Sequence, residues 1–359
     1  MKAAFFIGTL EAGGAQKIIT MLANHYALSG WDVDIVVLLG KKVEGSHFQL
    51  DQSVNIVDLT NGGDGSYIKK AIPWIKKIRK YLKFSSPDVI VSFIGRINAL
   101  VLTASLGLKI PSLVSERSDP RRDHRGEIML KYCNWIYGRS DAVVFQTRYQ
   151  QSCFSEKLAS KSHIIVNPLD IVTIEDVTED PYLVTTTGRL HVDKHHVDLV
   201  KAMAIVHEKI PSAKCIIYGD GEMRSILQEE IDNLHLNNVV HLPGKTSEVV
   251  KKVAEGKVFV MTSEYEGLSN ALMEAMMLGK VCISTNYDGV EDIIKDSTTG
   301  IIVPKREYKK LADTIIDVMT DNSGKYEIIR QKAKEQAQQY DSNKVLSQWD
   351  NVIKNIIKK

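Results

Sequence analysis

Short runs of β-branched and other apolar residues recur along the chain, separated by longer segments in which apolar positions return every three or four residues. The runs are typical of buried strands, and the longer segments are typical of amphipathic helices. Strands that alternate with helices in this way predict parallel sheets with helical crossovers. We predict strands at residues 3–7, 33–38, 54–59, 89–93, 112–115, 142–145 and 163–166, and then at 183–187, 213–218, 239–242, 258–261, 281–284 and 301–303.

A break in this pattern divides the chain. Residues 167–170 read Asn-Pro-Leu-Asp, and an acidic stretch without strand character follows as far as Asp180. Proline restricts the residue before it and ends regular structure, so we place a domain boundary after residue 167. At 359 residues, with 44% hydrophobic residues, the chain can form two buried cores. The predicted fold class is α/β, with a first domain at 1–167 and a second at 168–340.

Charge is distributed unevenly between the two halves. The whole chain has a net charge of +2, but residues 1–167 carry +8 and residues 168–359 carry −6. A basic half can meet phosphates, nucleic acid or an anionic membrane. The four cysteines form no C-x-x-C pair, which disfavours a zinc knuckle or a disulfide framework and favours a reducing cytoplasm. No stretch approaches the roughly 20 apolar residues that span a bilayer, so any membrane contact is expected to be peripheral.

The segment at 263–276 follows a predicted strand and contains a loop and the start of a helix. Ser269 or Asn270 can cap that helix, which leaves backbone amides able to attract an anion such as a diphosphate. Glu266 and Glu274 stand on either side of this position and are suited to accept hydrogen bonds from sugar hydroxyls. On the alternative interpretation, Glu274 is a solvated helix residue and Glu266 is a loop charge. The predicted donor-binding residues around this helix start are Leu268, Ser269, Asn270, Ala271 and Leu272.

A second polar segment, at 187–194, reads TGRLHVDK and follows the first strand of the second domain. Arg189 can form two hydrogen bonds to phosphate oxygens, and Lys194 adds a compact charge on a flexible stem. Together they can neutralise a departing nucleoside diphosphate. The alternative is that both are ordinary surface charges.

A glycine pair follows the first predicted strand. Gly13 and Gly14 allow the backbone to approach a ligand closely before a helix that begins near Gln16. The loop does not match G-x-G-x-x-G, and no acidic residue ends the second strand, so a nicotinamide cofactor is disfavoured. A simple tight turn would also use two glycines.

These segments carry a family resemblance. Glu266 and Glu274 match an E-x7-E element, Gly188-Arg189 with Lys194 matches G-R-x-x-x-x-K, and the early glycine pair matches a G-G loop. In this combination and order the chain resembles the retaining GT-B glycosyltransferases of family 4, from about residue 3 to about residue 320. The resemblance implies two Rossmann-like domains facing a central cleft, a nucleotide-diphosphate-sugar donor and transfer with retained anomeric configuration.

The resemblance also implies roles for single residues. Arg189 and Lys194 are expected to face the diphosphate, Glu274 to hold the ribose, and Glu266 to lie near the donor hexose. Arg189, Lys194 and Glu266 form the expected catalytic set, and Gly13, Gly14 and Gly188 join the donor-binding residues. Uridine is the preferred base, with contacts near residues 219–221 and 243–245. The last segment, 341–359, is expected to form a helix that crosses back to the first domain.

Two positions depart from the family pattern. His195 stands where many relatives have a glycine after the motif lysine, so the backbone there is expected to lie less close to the phosphate. Arg117 stands where many relatives have a histidine, which resembles a subgroup associated with surface-polysaccharide assembly. We place Glu116 and Arg117 on the acceptor side. Arg117 and its basic neighbours can meet acceptor phosphates, and a solvated basic loop is the alternative; these neighbours are Arg121, Arg122 and Arg125.

Neither a metal nor a cofactor is expected. The D-x-D of Asp32 and Asp34 alternates into a strand, which is typical of surface positions more than of magnesium ligands. Arg189, Lys194 and a helix dipole can instead meet the charge on the leaving diphosphate. We expect a metal-independent front-face substitution in which the leaving phosphate assists deprotonation of the acceptor.

A basic amphipathic segment spans residues 67–84. Its lysines fall on one helical face and its aliphatic residues on the other, which is typical of a helix that lies on anionic lipid. The alternative is a core-facing helix with a lysine-rich outer face. Because the lysines are not interleaved with exposed aromatic residues other than Trp74 and Tyr81, a nucleic-acid partner is disfavoured. The predicted aliphatic face consists of Ile68, Ala71, Ile72, Ile75, Ile78 and Leu82.

The expected function is transfer of a hexose or an N-acetylhexosamine from a nucleotide sugar to a glycan acceptor. The preferred donor is a UDP-sugar and the preferred acceptor is linked to polyprenyl diphosphate, with the protein in the cytoplasm or on the inner face of the cell membrane. Two alternatives stay open. A UDP-sugar 2-epimerase shares this architecture and forms product from the donor without any acceptor. A catalytically silent sugar-nucleotide-binding subunit is the other.

Overall fold

The chain folds into two α/β units, each built on its own parallel sheet. The computed structural model describes residues 1–11, 13–39, 49–60, 71–123, 125–169, 174 and 177–358. The first unit comprises Met1–Pro168 and Asn343–Lys359, and the second comprises Leu169–Ser342. The sequence places these boundaries after residues 167 and 340.

The sheet of the first unit has the strand order β3-β2-β1-β4-β5-β6-β7, and neighbouring strands are parallel. Each strand coincides with a predicted one to within two residues at either end, because buried β-branched runs mark the strands of a covered parallel sheet. The strands are β1 (Lys2–Ile7), β2 (Asp32–Val37), β3 (Val54–Asp58), β4 (Val89–Phe93), β5 (Ser112–Ser115), β6 (Ala142–Phe145) and β7 (Ser162–Ile164).

Helices cover both faces of this sheet. The alternation of side chains along β1 shows the division: Phe5 and Ile7 pack with α1 and α13, whereas Phe6 packs on the opposite face with α2 and α3. Helix α4 continues the second layer over β5 and β6. The helices of this unit are α1 (Gly14–Leu28), α2 (Ala71–Ser85), α3 (Gly95–Ser105), α4 (Gly126–Tyr137), the short α5 (Arg148–Ser152) and α6 (Glu156–Ala159), and the C-terminal α13 (Ser342–Ile357).

Helix α13 returns to the first unit, as the resemblance implies. Its apolar stripe packs against α1 and the sheet, with Trp349 fully buried beside Phe93. At the surface of this contact, Nε2 of His25 lies 3.1 Å from Oδ1 of Asp350, so the first and last helices are also joined by a polar contact.

Helix α2 covers residues 71–84 of the basic amphipathic segment, and the apolar side of this helix faces the protein. Residues 67–70 lie outside the described residues. Trp74, Ile78 and Leu82 are buried against the sheet and α3. Ile72, predicted on the same face, is exposed instead. The predicted aliphatic face therefore lies mostly in the core, where it is not available to lipid. The apolar pattern identified this face but did not specify whether protein or lipid covers it.

The D-x-D segment also differs from its predicted surface position. Asp32 is exposed, but Asp34 is buried. The Asp34 carboxylate accepts hydrogen bonds from the Tyr81 hydroxyl at 2.5 Å and from Nδ2 of Asn55 at 2.8 Å, and lies 3.2 Å from Nζ of Lys2. Burial alone would raise the pKa of Asp34, but these partners lower it. Asp34 therefore anchors α2 to the sheet.

The second unit repeats the architecture with the strand order β10-β9-β8-β11-β12-β13, again parallel. Its strands are β8 (Asp180–Thr187), β9 (Lys214–Tyr218), β10 (Val240–Gly244), β11 (Gly256–Met261), β12 (Val281–Thr285) and β13 (Ile301–Val303). Its helices are α7 (His196–Lys209), α8 (Arg224–Asn233), α9 (Val249–Ala254), α10 (Asn270–Met277), α11 (Tyr308–Thr320) and α12 (Lys325–Ala337).

The two ends of the second unit are joined to each other. The backbone N–H of Leu169 donates to the carbonyl of Tyr340 at 2.8 Å, and the N–H of Ser342 donates to the carbonyl of Leu169 at 3.0 Å. Leu169 also forms a parallel β-bridge with Asp341. The second unit is thus an insertion into the first, and its entry and exit lie side by side.

Both strand orders reverse direction once, between β1 and β4 in the first sheet and between β8 and β11 in the second. In open parallel sheets, the loops at the carboxyl ends of such a strand pair diverge and leave room for a ligand. The predicted glycine pair follows β1, and the two predicted polar segments follow β8 and β11. The fold therefore brings the last two together.

Candidate functional site

The loops after β8 and β11 are tied to each other at the reversal point of the second sheet. The backbone N–H of Glu264 donates to the carbonyl of Asp193 at 2.8 Å, and the Thr262 hydroxyl donates to the carbonyl of Lys194 at 2.7 Å. Thr262 is buried directly after its strand. These two bonds fix the loop that carries Lys194 against the loop that carries Glu266.

Lys194 and Glu266 meet across this junction. The Lys194 ammonium donates a hydrogen bond to Oε1 of Glu266, and the Ser263 hydroxyl donates to the same oxygen at 2.7 Å. Both charged side chains are largely covered, with 21% and 14% of their surfaces exposed, so their attraction is only weakly screened. The two residues predicted to serve phosphate and hexose are therefore direct hydrogen-bond partners.

Ser263 was not among the predicted site residues. It is 1% exposed, and its carbonyl accepts a hydrogen bond from the Thr285 hydroxyl at 2.6 Å, which anchors it to β12. A serine directly after a buried strand, three residues before a predicted site glutamate, is the signal that sequence reasoning overlooked. Ser263 holds the Glu266 carboxylate in a defined orientation.

Helix α10 begins beside this pair. Ser269 is its N-cap, and the Ser269 hydroxyl accepts a hydrogen bond from the N–H of Leu272 at 3.3 Å. An N-terminus of this kind carries partial positive charge from its first-turn amides, here including those of Asn270 and Ala271. Leu268 immediately precedes the cap, and Glu274 lies in the second turn of the helix. The predicted helix start is therefore formed, four residues after Glu266 in the same loop.

Arg189 is exposed in the same loop as Lys194. Its side chain makes no hydrogen bond or ion pair with any residue that the structure describes. Gly188 beside it has a φ of 155°, and a Cβ there would contact the Lys194 side chain at 3.6 Å. Among the described residues, the Arg189 guanidinium thus has no hydrogen-bond partner, whereas Lys194, five residues along the chain, is bonded to Glu266.

Glycines pack the neighbouring loops together. A Cβ on Gly219, where φ is 144°, would lie 1.8 Å from the carbonyl oxygen of Gly188, and a Cβ on Gly221 would lie 2.4 Å from that of Leu190. The N–H of Gly219 in turn donates to the carbonyl of Gly244 at 2.9 Å. The segments at 219–221 and 243–245 therefore lie at the same sheet edge as Gly188, where the sequence places the base.

The residue after the motif lysine has glycine-like backbone geometry. His195 has a φ of 47° and a ψ of 37°, in the left-handed region that glycine adopts at low cost. This geometry explains why a glycine suits the position. The following His196 is buried at the start of α7, and burial lowers its pKa to about 3, so its imidazole is neutral at pH 7.

In the first unit, the glycine pair lies at the start of α1 near the reversal between β1 and β4. Gly13 is the N-cap and Gly14 the first helical residue. A Cβ on Gly13 would lie 2.4 Å from Oε1 of Gln16, so the Gln16 side chain closes over the glycine. Across the reversal, Ile94 follows β4 with a φ of 76°, an unfavourable conformation for a β-branched residue.

Glu116, which the sequence places on the acceptor side, is buried within the first unit. Its carboxylate is fully buried and accepts two hydrogen bonds from Arg125, both at 2.8 Å. Arg125 also contacts Asp123, and its guanidinium lies against Gly95, where a Cβ would be only 2.3 Å from Nη1. Burial lowers the pKa of Arg125, but the Glu116 and Asp123 carboxylates raise it above its ordinary value. Arg125 is therefore committed to an internal ion pair and is not available to acceptor phosphates.

Arg117 is held differently. Its guanidinium lies 4.5 Å from the ring centre of Phe93 and 5.2 Å from that of Trp349, and Nη1 donates to Oδ1 of Asn167 at 2.8 Å. Gln146 donates to the same Asn167 oxygen at 2.7 Å. Burial lowers the pKa of Arg117 to about 9, which still leaves the group charged at pH 7. The helix that crosses back thus supplies one of the two rings around Arg117.

No group of three or more metal-ligating side chains occurs among the described residues. In the same part of the chain, no helix has the length and apolar character needed to cross a membrane.

Two family models match the chain in succession. The model described as Glycosyltransferase Family 4 matches residues 12–172, and the model described as Glycosyl transferases group 1 matches residues 171–339. The first corresponds to most of the first unit and the second to nearly all of the second unit. The sites after β8 and β11 fall within the second match.

Two relatives from Campylobacter jejuni are similar over nearly the whole chain. One is named GalNAc-alpha-(1->4)-GalNAc-alpha-(1->3)-diNAcBac-PP-undecaprenol alpha-1,4-N-acetyl-D-galactosaminyltransferase; it is 27% identical, and the match covers 98% of each protein. The other is named N-acetylgalactosamine-N,N'-diacetylbacillosaminyl-diphospho-undecaprenol 4-alpha-N-acetylgalactosaminyltransferase; it is 22% identical, and the match covers 96% of this chain and 97% of the relative.

Solved structures show the same fold at lower identity. Anabaena HepE in complex with UDP has a TM-score of 0.82 at 19% identity, over 99% of this chain and 100% of that one. Sucrose-phosphate synthase from Thermosynechococcus elongatus has a TM-score of 0.84 at 16% identity, over 99% of both chains. These likenesses establish the two-domain GT-B fold.

Proposed function

Because this chain belongs to the family 4 glycosyltransferases, we propose that it transfers a hexose or an N-acetylhexosamine from a UDP-sugar to a glycan linked to polyprenyl diphosphate. The observation that carries this proposal is the junction of Lys194, Glu266 and the start of α10 at the reversal point of the second sheet. A phosphate-binding cation, a sugar-binding carboxylate and an anion-attracting helix end are the groups that a sugar nucleotide requires. The isomerase and the catalytically silent alternatives gain no support from the comparisons.

The donor diphosphate is proposed to bind between Arg189, Lys194 and the first-turn amides of α10. Arg189 has its hydrogen-bonding groups unused, and Lys194 can exchange its bond to Glu266 for one to phosphate. The Glu266 carboxylate then becomes free to accept a hydrogen bond from a hydroxyl of the donor hexose, while Glu274 binds the ribose. The base is proposed to lie along the segments at 219–221 and 243–245, which the glycine contacts place beside Gly188.

A UDP-sugar is the preferred donor because HepE was solved with UDP, and so was TarM from S. aureus, which matches this chain with a TM-score of 0.75 at 14% identity. The acceptor proposal is supported by the two Campylobacter relatives, whose names specify undecaprenol-linked glycans. The positive net charge of residues 1–167 suits a diphosphate-bearing acceptor. Gly13 and Gly14 are proposed to approach the donor from the first unit.

The proposed reaction retains the anomeric configuration and needs no metal. The bond between the anomeric carbon and the diphosphate oxygen breaks, and the acceptor oxygen forms its bond on the same face of the sugar. The acceptor proton passes to the leaving phosphate oxygen. Arg189, Lys194 and the α10 terminus stabilise the charge that develops on the diphosphate. We place the reaction in the cytoplasm, as the cysteine spacing predicts.

The test is a transfer assay with purified protein, a panel of UDP-sugars, and acceptors with and without a polyprenyl-diphosphate-linked glycan. We expect transfer in the presence of EDTA and an α-linked product from an α-configured donor, identified by NMR. Loss of transfer in EDTA, with recovery on adding magnesium, would contradict the metal-free mechanism. Conversion of the donor sugar without acceptor would support the 2-epimerase alternative instead.

A further inference from the structure

One helix layer of the first unit has an outer surface that carries both exposed apolar side chains and basic side chains without an ion pair among the described residues. We call it the α2–α4 surface, because its residues lie on α2, at the end of α3 and on α4. Phe84 is 92% exposed, Ile128 is 87% exposed and Ile72 is 69% exposed. The residues that define it are Ile72, Lys76, Lys80, Lys83, Phe84, Leu106, Ile128, Lys131 and Trp135.

The three helices form one continuous layer. Nη1 of Arg79 on α2 donates to the carbonyls of Ala104 and Leu106 at the end of α3, at 2.7 and 2.8 Å. The hydroxyls of Thr103 on α3 and Tyr132 on α4 are 2.6 Å apart. The inner sides of all three helices are buried against the same face of the sheet. Their exposed sides therefore belong to one surface.

The charge of this surface has a single sign along α2. Residues 71–85 contain five basic residues and no acidic residue. Lys76, Lys80 and Lys83 form no ion pair within the described part of the chain. Together with Arg79 and Phe84 they line an open depression of about 490 Å³. These lysines lie next to exposed apolar side chains. A partner that suits both must carry negative charge and also offer an apolar region.

Helix α4 supplies the apolar part. Ile128 and Trp135 are seven residues apart and lie on the same exposed side, with Lys131 between them. The guanidinium of Arg139 lies 3.5 Å from the centre of the Trp135 ring. A tryptophan with an adjacent cation is suited to the region where lipid headgroups meet acyl chains.

We propose that the α2–α4 surface binds the face of an anionic lipid bilayer. Its lysines meet headgroup phosphates, and Ile72, Phe84, Ile128 and Trp135 enter the boundary with the acyl chains. Phe84 and Trp135 can stack with bases, but the exposed aliphatic residues Ile72 and Ile128 gain only from an apolar medium, which favours lipid over nucleic acid. This binding face differs from the aliphatic face predicted for 67–84, which is mostly buried.

The experiment is flotation of the full-length chain with vesicles of phosphatidylcholine alone and of phosphatidylcholine with phosphatidylglycerol, without donor or acceptor. We expect flotation with the anionic vesicles only, and its loss in about 1 M salt, where the Debye length falls to about 3 Å. The triple variant Lys76→Gln, Lys80→Gln, Lys83→Gln should bind about fivefold more weakly for each lysine removed, hence roughly hundredfold in total. The control Lys309→Gln, Lys310→Gln, Lys332→Gln changes the net charge equally in the second unit and should bind as the wild type does.

The apolar contribution is tested separately. Phe84→Ser with Ile128→Ser should weaken vesicle binding about tenfold or more, whereas Leu28→Ser with Ile328→Ser, at exposed positions elsewhere, should not. Equal flotation of the triple lysine variant and its control would overturn the proposal. The proposal would also be overturned if the wild-type protein formed a dimer that the Phe84 and Ile128 changes dissociate. Preferential binding to single-stranded nucleic acid over anionic vesicles would overturn it as well. Transfer to a water-soluble acceptor analogue should be unchanged in all variants, which separates this inference from the proposed reaction.

Discussion

The Lys194 ammonium donates a hydrogen bond to the Glu266 carboxylate across two loops that follow adjacent parallel strands. Each group thereby compensates the charge of the other. Under the proposed function, a donor diphosphate would compete with Glu266 for Lys194, so binding of the phosphates and release of the carboxylate would be coupled. The contact holds both side chains at the junction of the two loops.

Replacing Lys194 by alanine should lower kcat by about a hundredfold or more, because a cation that stabilises the developing charge is lost. Arg189→Ala should have an effect of the same size. Lys201→Ala is the matched control and should keep normal turnover, because Lys201 lies on α7 and its ammonium is 3.8 Å from the Glu230 carboxylate on α8. Steady-state kinetics with the best UDP-sugar measure all three, and normal kcat in both site variants would refute the proposed roles.

Ser263→Ala should lower kcat about tenfold while leaving the KM for the donor nearly unchanged. The reason is that the Glu266 carboxylate loses the hydrogen bond that orients it, and such bonds to charged groups contribute about 1.5–3 kcal/mol. Ser284 is equally buried, but its hydroxyl bonds only a backbone carbonyl, so Ser284→Ala is the control. Ser263→Thr retains the hydroxyl and should recover part of the activity. A purely structural role predicts a lower melting temperature with no change in kcat.

Gly219→Ala should weaken UDP binding by at least about tenfold, since its Cβ would be placed 1.8 Å from the Gly188 carbonyl and would push the loops after β8 and β9 apart. Gly30→Ala is the control, because Gly30 also has a positive φ but has open space around its Cβ position. Both changes place a Cβ on backbone with a positive φ, which should cost about 1–3 kcal/mol of strain. Isothermal titration with UDP distinguishes them, and equal affinities would show that the close approach is unimportant for binding.

His195→Gly should raise the free energy of unfolding of the second unit by about 0.5–1 kcal/mol, because glycine relieves the strain of the left-handed backbone at φ 47°. His191→Gly is the comparison, since His191 has an extended backbone and its substitution should destabilise. Thermal unfolding followed by circular dichroism measures both. A decrease in stability for His195→Gly would mean that the imidazole makes a compensating contribution.

Asp350→Asn should destabilise the docking of α13 on α1 by about 1 kcal/mol at pH 7, and the difference from wild type should shrink as the pH falls toward about 2.5. Burial alone would raise the pKa of Asp350, but nearby Tyr26, Lys354 and His25 lower it below its ordinary value. A carboxyl group with a lowered folded-state pKa stabilises above its unfolded pKa of about 3.9 and loses that contribution in acid. The melting temperature as a function of pH is the measurement. A difference that persists unchanged at pH 2.5 would assign the effect to packing.

The positions of the strands and their division into two parallel sheets were predictable, because buried parallel strands are marked by continuous apolar runs. The same reasoning placed Arg189, Lys194 and the α10 cap after β8 and β11, since ligand loops follow strand ends. The polar partners within the protein were not predictable. Nothing in the local sequence indicates that Arg125 turns inward to Glu116, or that Lys194 and Glu266 pair, because these contacts depend on loops that only the sheet order brings together.

The sequence also did not reveal which amphipathic residues are buried. The burial of the apolar side of α2 and of Asp34 depends on how α2 packs over β1, β2 and β4, where the Tyr81 hydroxyl donates to the Asp34 carboxylate. Periodicity identifies an apolar face, but it does not say whether protein or lipid covers that face. The exposed residues of the α2–α4 surface were recognisable only after the inner sides of the helices had been assigned to the core.

The adjacent ends of the second unit have a consequence for how this enzyme can be rearranged. Leu169 and Ser342 are hydrogen-bonded neighbours, so the polypeptide enters and leaves that unit at one point. Residues 169–342 therefore form a cassette that can be cut out at two junctions and exchanged for its counterpart from a relative without rerouting the backbone. If the second unit determines the sugar-nucleotide preference, as proposed, recombination of this kind would pair a new donor with an old acceptor in a single genetic event.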